Sequence, residues 1–523
     1  MPVTWWATQG MRGAVAVAVS IAIGGALVPS TGRAQDRLQP PPGTFVDGQG
    51  ELLPFAPTYE RTFSRGRDSR DPLYGWAALE MAGILAVGAV GYWQKNAGDD
   101  FPDMVERLKP DLDENDYLIN FAGHPGAGAS YWVFSRAAGL DVPMAFVYGV
   151  ASSTVWEYAV ELSANVSFND MILTPFSGIA VGELFFQLGR YLNSAPGGGG
   201  PGQRAGQWSF GVVNAAHDAI YDLPGLPDAP PDNLGFSSAY WHRFRVGYYL
   251  GRLRNDRDAS DVAHGPSLDI RLAAMPGYLK PGRFSTAFAE GNFTEGHLQL
   301  LFDEHGLAEA DVRIDAIVAG YYAQDLRLEH GTLWGRSLVV GMHSGYRYVD
   351  RDLLDRPDRY AMVHLPGPGV EVRRAWRSVW LGLRAHVNGD FGGFRPVALS
   401  SFVRRNGSDQ IRELLRRRDY VHGAGASGRV EVTLESHGCE LGADLFYGWY
   451  ASIENPNGDA DEGRTVPSRD QVLEPRGWLG CAVPQALLQL RLQASAIRRW
   501  GEMGDVTETR WDRRLGGTLG IQF

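Results

Sequence analysis

The sequence predicts an α+β fold, in which a membrane β-barrel of about 12 antiparallel strands follows a small domain of about four apolar helices. Three observations carry this expectation. Hydrophobicity alternates with period two over much of the second half, up to the terminal Phe523. Four long apolar segments rich in small residues precede that half. Before both, Arg12 leads into an apolar run from Gly13 to Val28, and Gly32-Arg33-Ala34 offers a small-residue cleavage pattern ahead of Gln35.

The front of the chain sets the address. Residues 1–34 read as a secretory signal peptide, and because no Cys follows the cleavage pattern a lipid anchor is not expected. Residues 35–70, with Pro40, Pro41, Pro42 and Gly43, lack sustained periodicity and read as a flexible leader. Composition agrees with an exported sheet protein: 66 Gly, 15 Trp and 21 Tyr stand beside only 21% charged residues. The formal charge of -11, from 49 Lys+Arg against 60 Asp+Glu, argues against a nucleic-acid binder, which would normally carry a basic stripe.

The helical domain is placed at residues 71–194, from the segments Leu73 to Gln94, Asp116 to Ala138, Pro143 to Ala164 and Asp170 to Leu192. A Gly/Pro-rich linker at 195–206 separates it from a barrel at 207–523. In the barrel Leu515, Leu519, Ile521 and Phe523 alternate with Arg514, Thr518 and Gln522; Leu488, Leu490 and Leu492 alternate with Gln489, Arg491 and Gln493. Val430, Val432 and Leu434, and Val379, Leu381 and Leu383, repeat the pattern. Such strands turn one face to lipid and the other to a lumen, and many exceed the roughly 9–11 residues that cross a bilayer at a tilt. Short turns near Tyr278 to Gly282 and Val483 to Gln485 are expected to face the periplasm, and long loops such as Asn455 to Ser468 to face outward. The expected location is the bacterial outer membrane, with the helices on the periplasmic side. The expected partners are outer-membrane lipid, lipopolysaccharide and, during biogenesis, the barrel-assembly machinery, for which the terminal Phe523 is the signal.

Cys439 and Cys481 are the only cysteines, and the expected register allows them to be cross-strand neighbours. A disulfide and two buried thiols are both open at this point.

Polar residues on the apolar helices form the candidate site. Asn120 and His124 are four apart, as are Glu157 and Glu161, so each pair shares a helix face; Asp170 and Glu183 begin and follow into the last helix. Carboxylates in such surroundings need pairing, hydration or a cation. His124, Glu157, Glu161 and Asp170 are therefore candidate catalytic groups, suited to acid-base work or to a divalent cation, and Asn120, Glu183 and Trp156 candidate ligand contacts. Structural roles compete at each position. Asn169 or Asp170 would cap a helix starting at Met171, Gly178 and Gly182 would permit close helix packing, and Glu157 and Glu161 would pair with Arg136 or Arg190.

The run Asn120-Phe121-Ala122-Gly123-His124-Pro125, with Trp156-Glu157-Tyr158, Glu161, Asn169-Asp170, Thr174-Pro175 and Gly182-Glu183, resembles the bacterial domain of unknown function 3943. The resemblance spans Tyr117 to Leu192 and implies a helical segment joined to an outer-membrane barrel, with no assigned activity.

Elsewhere, Arg404, Arg405, Arg412, Arg416, Arg417 and Arg418 form an outward basic stretch for lipopolysaccharide phosphates or plain solvation. There is no glycine-rich phosphate loop, GxSxG, HExxH or paired CxxC. The leading functional expectation is envelope maintenance or lipid handling. The alternatives are a lipid or peptidoglycan hydrolase with His124 as base, and a diffusion channel selected by Arg243, Arg245, Arg491 and Asp512.

Overall fold

The computed structural model describes residues 72–96, 110–162, 164–195, 199–220, 232–275, 277–354, 356–408, 411, 413–453, 466–483 and 487–523. The expected signal peptide and leader, and most of the Asn455 to Ser468 stretch, lie outside them.

Thirteen antiparallel strands form one sheet: β1 Trp241–Asn255, β2 Ser260–Ala273, β3 Gly282–Phe288, β4 Phe293–Asp303, β5 Gly306–Glu329, β6 Thr332–Leu353, β7 Arg356–Arg377, β8 Val379–Phe394, β9 Val421–Ser436, β10 Cys439–Ser452, β11 Ser468–Ala482, β12 Leu488–Met503 and β13 Val506–Gln522. β1 pairs with β13 and β5 with β6, which closes the sheet on itself. Because β3 and β4 both run along β5, β3 beside Gly320 to Leu326 and β4 beside Gly306 to Ile317, they occupy one interrupted position. The result is a closed 12-strand barrel. Closure satisfies the backbone groups that an open edge would expose to hydrocarbon.

Alternation gives each wall two characters. Leu488, Leu490, Leu492, Leu515 and Leu519 are exposed on the outside. Their in-between neighbours face a bore crossed by ion pairs between distant strands: Arg347 of β6 meets Glu474 of β11 at 2.7 Å, and Arg384 of β8 meets Glu295 of β4 at 2.5 Å. Arg243 of β1 reaches Glu435 of β9 at 3.2 Å. The chain leaves β8 and β10 and enters β9 and β11 at one end, the loop end; both barrel termini lie at the other, terminal end. Cys439 and Cys481 face each other across β10 and β11 and are joined as a disulfide.

Three neighbouring strands break register at one level, β5 at Ile317/Ala319, β6 at His343/Gly345 and β7 at His364/Gly369. In β7 the cause is local: Pro366 and Pro368 have no N–H to give the ladder.

The helices are α1 Tyr74–Lys95, α2 His124–Ala137, α3 Val142–Val155, α4 Phe168–Ser177, α5 Glu183–Leu192, α6 Pro201–Phe210 and α7 Val212–Ile220. π-Helical turns at Ile119–Gly123, Trp156–Val160 and Gly178–Gly182 lead into α2, extend α3 and join α4 to α5. α4 begins at Phe168 because Ser167 caps it, accepting from the Asp170 N–H, so the cap expected from Asn169 or Asp170 is displaced by a hydroxyl two residues earlier. Pro201 in the first turn starts α6 inside the expected linker, and the barrel opens at Trp241, later than residue 207. Gly178 and Gly182 do serve packing, since a Cβ at either would overlap the Gly128 backbone or the Trp132 side chain of α2.

The helical layer lies against the outside of the barrel. Ile179 packs on Ala316 and Val318, and Leu184 touches Gly296 and Ile270. Tyr117 packs on Tyr348 with the rings tilted by 37°, and the Tyr346 hydroxyl donates to the Phe121 carbonyl. The sequence neighbours of these barrel residues, Asp315, Glu295, Arg271 and Arg347, are the ones that face the bore. The layer reaches from Tyr191 beside Phe244 at the terminal end to Tyr117, which donates to the Val349 carbonyl, near the loop end. The helices are therefore spread along the barrel wall and not confined to one mouth. The expected basic stretch includes two short helices, α8 Leu399–Asn406 and α9 Glu413–Arg418, whose Phe402 and Leu415 pack on the inward Tyr360 and Tyr450 and cover the loop end of the bore.

Candidate functional site

A polar cluster forms where α2, the turn after α3 and the start of α4 meet. The Ser167 cap turns the chain so that Asn169 and Asp170 enter the bundle rather than lipid. The turn Ile119–Gly123 brings Asn120 and His124 to face them. Over both lies the strap 110–116, fixed by mutual backbone hydrogen bonds: Asp111 N donates to the Val166 carbonyl and Phe168 N to that of Asp111, at 3.0 and 2.8 Å.

Asp113 on the strap is the hub. One carboxylate oxygen accepts from Asn120 Nδ2 at 2.6 Å and Asn169 Nδ2 at 2.9 Å, and the Asn169 amide also donates to Asp170 Oδ1 at 2.9 Å. His124 lies between Asp170 and Thr174, with Nε2 3.2 Å from Asp170 Oδ2 and Nδ1 3.4 Å from Thr174 Oγ1. Glu157 Oε2 accepts from the Ser167 N–H at 2.8 Å. The barrel contributes too: the Tyr420 hydroxyl accepts from Asn120 at 2.9 Å and donates to the Asn115 carbonyl at 2.8 Å, and His422 Nε2 is 2.9 Å from the Asp113 carbonyl. Asn120, Glu157, Asn169 and Asp170 are all essentially excluded from solvent.

The predicted set divides three ways. Asn120, His124, Glu157 and Asp170 come together. Trp156 and Glu161 form a neighbouring pair, the indole donating to Glu161 Oε2 at 2.9 Å. Glu183 stands apart, 13 residues beyond Asp170 and so roughly 20 Å along the helix. There it accepts from Trp132 Nε1 at 2.7 Å and Arg136 Nε at 3.1 Å, while Arg136 also binds Glu290 at 2.8 Å. The bridge to Arg136 weighed for Glu157 and Glu161 is thus made by Glu183. Asp113, Tyr420 and His422 escaped the sequence reading; the acid-rich run Asp111-Leu112-Asp113-Glu114-Asn115-Asp116 was the one signal for the strap.

Chemically, one oxygen each of Asp113 and Asp170 and one nitrogen of His124 lie within 4.8 Å of one another, a donor set that can hold a divalent cation. The same imidazole, between a carboxylate and a hydroxyl, can also move a proton.

Closed barrel, apolar exterior and polar bore define a β-barrel of the outer-membrane class carrying a helical domain on its wall. Residues 109–212 match the family model described as domain of unknown function (DUF3943). No curated protein matches. Among solved structures, the NanC porin is similar at 10% identity and a TM-score of 0.22, over 52% of this chain and 98% of its own. A FadL homologue of Pseudomonas aeruginosa is similar at 8% identity and a TM-score of 0.22, over 57% and 93%. The β domain of the Bordetella autotransporter BrkA is similar at 14% identity and a TM-score of 0.19, over 54% and 99%.

Proposed function

We propose that the protein serves envelope maintenance, its wall-mounted helices lying in the bilayer beside the barrel and presenting the Asp113/His124/Asp170 cluster to lipid head groups. One observation carries this reading: the helices cover outward barrel residues, while their own outer surface, with Trp76, Leu79, Val87, Val90, Trp93, Val147 and Val150, is exposed and apolar. Two helical units, Tyr74–Lys95 of 22 residues and Phe168–Leu192 of 25, are long and apolar enough to cross a membrane. With the short turns periplasmic, the cluster lies toward the outer leaflet. Its carboxylates suit a head-group cation or a divalent ion better than a bare phosphate.

The test compares envelope permeability and lipid composition in cells carrying the wild type, His124→Ala or Asp170→Asn. The expected outcome is a permeability increase and altered outer-leaflet lipid with barrels still folded. Unchanged envelopes would reduce the cluster to a structural role.

A hydrolase is the second reading, favoured by the Thr174–His124–Asp170 alignment. Lipid turnover by purified protein, abolished by His124→Ala, separates it from the first. A diffusion channel is disfavoured by the pairs that cross the bore and by α8 and α9 at its loop end.

A further inference from the structure

The second His/carboxylate constellation is inside the barrel, at the level where β5, β6 and β7 all lose register. His343 of β6 and His386 of β8 stack with ring centroids 3.8 Å apart and planes 15° from parallel. Both rings direct Nδ1 to one acceptor, Asn388 Oδ1, at 3.0 and 2.9 Å. The Asn388 amide is in turn held by the carbonyls of His343 and Leu365, which fixes its orientation. An amide oxygen accepts only, so both Nδ1 atoms carry the proton and both Nε2 atoms present lone pairs.

Both Nε2 atoms are buried; that of His386 has no hydrogen-bond partner, that of His343 faces only the Asp315 carboxylate, and His343 itself is 3% exposed. Asp315 of β5 completes the set, its Oδ1 3.3 Å from His343 Nε2. One donor atom from each of the three side chains lies within 4.8 Å of the others. Two buried lone pairs and a carboxylate facing one point are costly unless an electropositive partner sits among them. Arg429 and Arg313 reach only the other oxygen of Asp315, Oδ2, at 3.5 and 3.6 Å, and are shared with further acids or neighbours, Arg429 gripping Asp444 through two bonds of 2.7 Å, so Oδ1 and the two Nε2 atoms are left to face one another. A cavity of about 60 Å³ is lined by the three residues and leaves room for an ion with bound water.

We propose that Asp315, His343 and His386 bind a divalent transition ion of the imidazole-preferring kind, such as zinc, inside the barrel. Two imidazoles and one carboxylate are a donor set for that class, and Asn388 is the outer partner that orients ligating histidines. The register breaks give the construction its reason, since bulges re-aim side chains that a regular ladder would spread along the wall. The site stands independently of the helical cluster.

The test uses full-length protein in detergent, stripped of metal, equilibrated with zinc and assayed by atomic emission. At least one ion per chain is expected in the wild type and in His124→Ala, and one fewer than in the wild type in His343→Ala and His386→Ala. Asn388→Ala should weaken binding roughly tenfold or more, as other outer-partner losses do. Heat-modifiable migration in SDS gels checks that each barrel is folded. Should the histidine variants not fold, copper-loaded wild type supplies the readout, with nitrogen hyperfine structure from two imidazoles expected in its electron paramagnetic resonance spectrum. No retained zinc in the wild type, retention unaffected by the histidine variants, loss in His124→Ala instead, or a copper spectrum without nitrogen coupling would each overturn the proposal.

Discussion

Glu183 illustrates what a buried charge does at a seam between two kinds of structure. Its carboxylate gathers Trp132, Arg136 and Gln187, and Arg136 and Gln187 both reach the backbone or side chain of Glu290 at the break between β3 and β4. Gly291, at φ +62, sits so close to Glu183 that a Cβ there would overlap the carboxylate. Removing one partner of such a set strands the other, at about 3–5 kcal/mol, whereas an apolar pair of similar volume is often tolerated. Glu183→Leu should therefore lower the thermal midpoint of the folded barrel markedly, and the double variant Glu183→Leu/Arg136→Met should recover much of the loss. A Glu183→Leu midpoint equal to wild type would refute the lock. Residue pattern alone could not tell this carboxylate from Asp170, because both read as acids on an apolar helix. The pairs Asn120/His124 and Glu157/Glu161 were legible because a helix places four-apart residues on one face. Even so Glu157 and Glu161 part company, since a π-helical turn ends at Val160 and shifts that face. Asp113 was hidden because its partners Asn169 and His422 are 56 and 309 positions away.

Among the elements, the crossing of α2 and α4 shows how polar chemistry is held between apolar helices. A Cβ on Gly128 would overlap the Thr174 carbonyl, while one on Gly126, two residues earlier on α2, would meet nothing within 4 Å. The close approach is what keeps His124 between Asp170 and Thr174. Gly128→Ala is expected to force the helices apart, costing about 1–3 kcal/mol as overpacking does and displacing His124. Gly126→Ala should be neutral or stabilising by up to about 1 kcal/mol, because alanine is the better helix former. Thermal melts of the two variants decide it, and equal midpoints would argue against the crossing. At this scale the strands were well marked in the sequence, as exposed Leu488, Leu490 and Leu492 alternate with bore-facing residues. The register breaks were not, since their effect on His343 and His386 depends on pairing across three strands. The interruption between β3 and β4 was equally hidden, being fixed by Glu290 and Gly291 against the helices.

For the molecule as a whole, polarity is reversed relative to a water-soluble protein: charge is inside and leucine outside. Barrel and helices share this reversal, so both can lie in one hydrocarbon slab, whereas a periplasmic domain would have to turn the same apolar helix surface to water. A sequence shows that a helix is apolar but not which apolar face meets protein and which meets lipid, and the four segments therefore gave no hint of their position on the wall. α1 is the sensitive part, because Trp76 near its start and Trp93 near its end are both largely exposed. In liposomes, single-tryptophan versions keeping only Trp76 or only Trp93 should be quenched by brominated acyl chains. Bromines at different depths should place the two indoles on opposite sides of the midplane, as a helix crossing the bilayer requires: 22 residues rise about 33 Å. Quenching of both by the aqueous quencher acrylamide, with none by brominated lipid, would take α1 out of the bilayer. The wall-mounted cluster would then face water, and lipid head groups would no longer be its natural ligand.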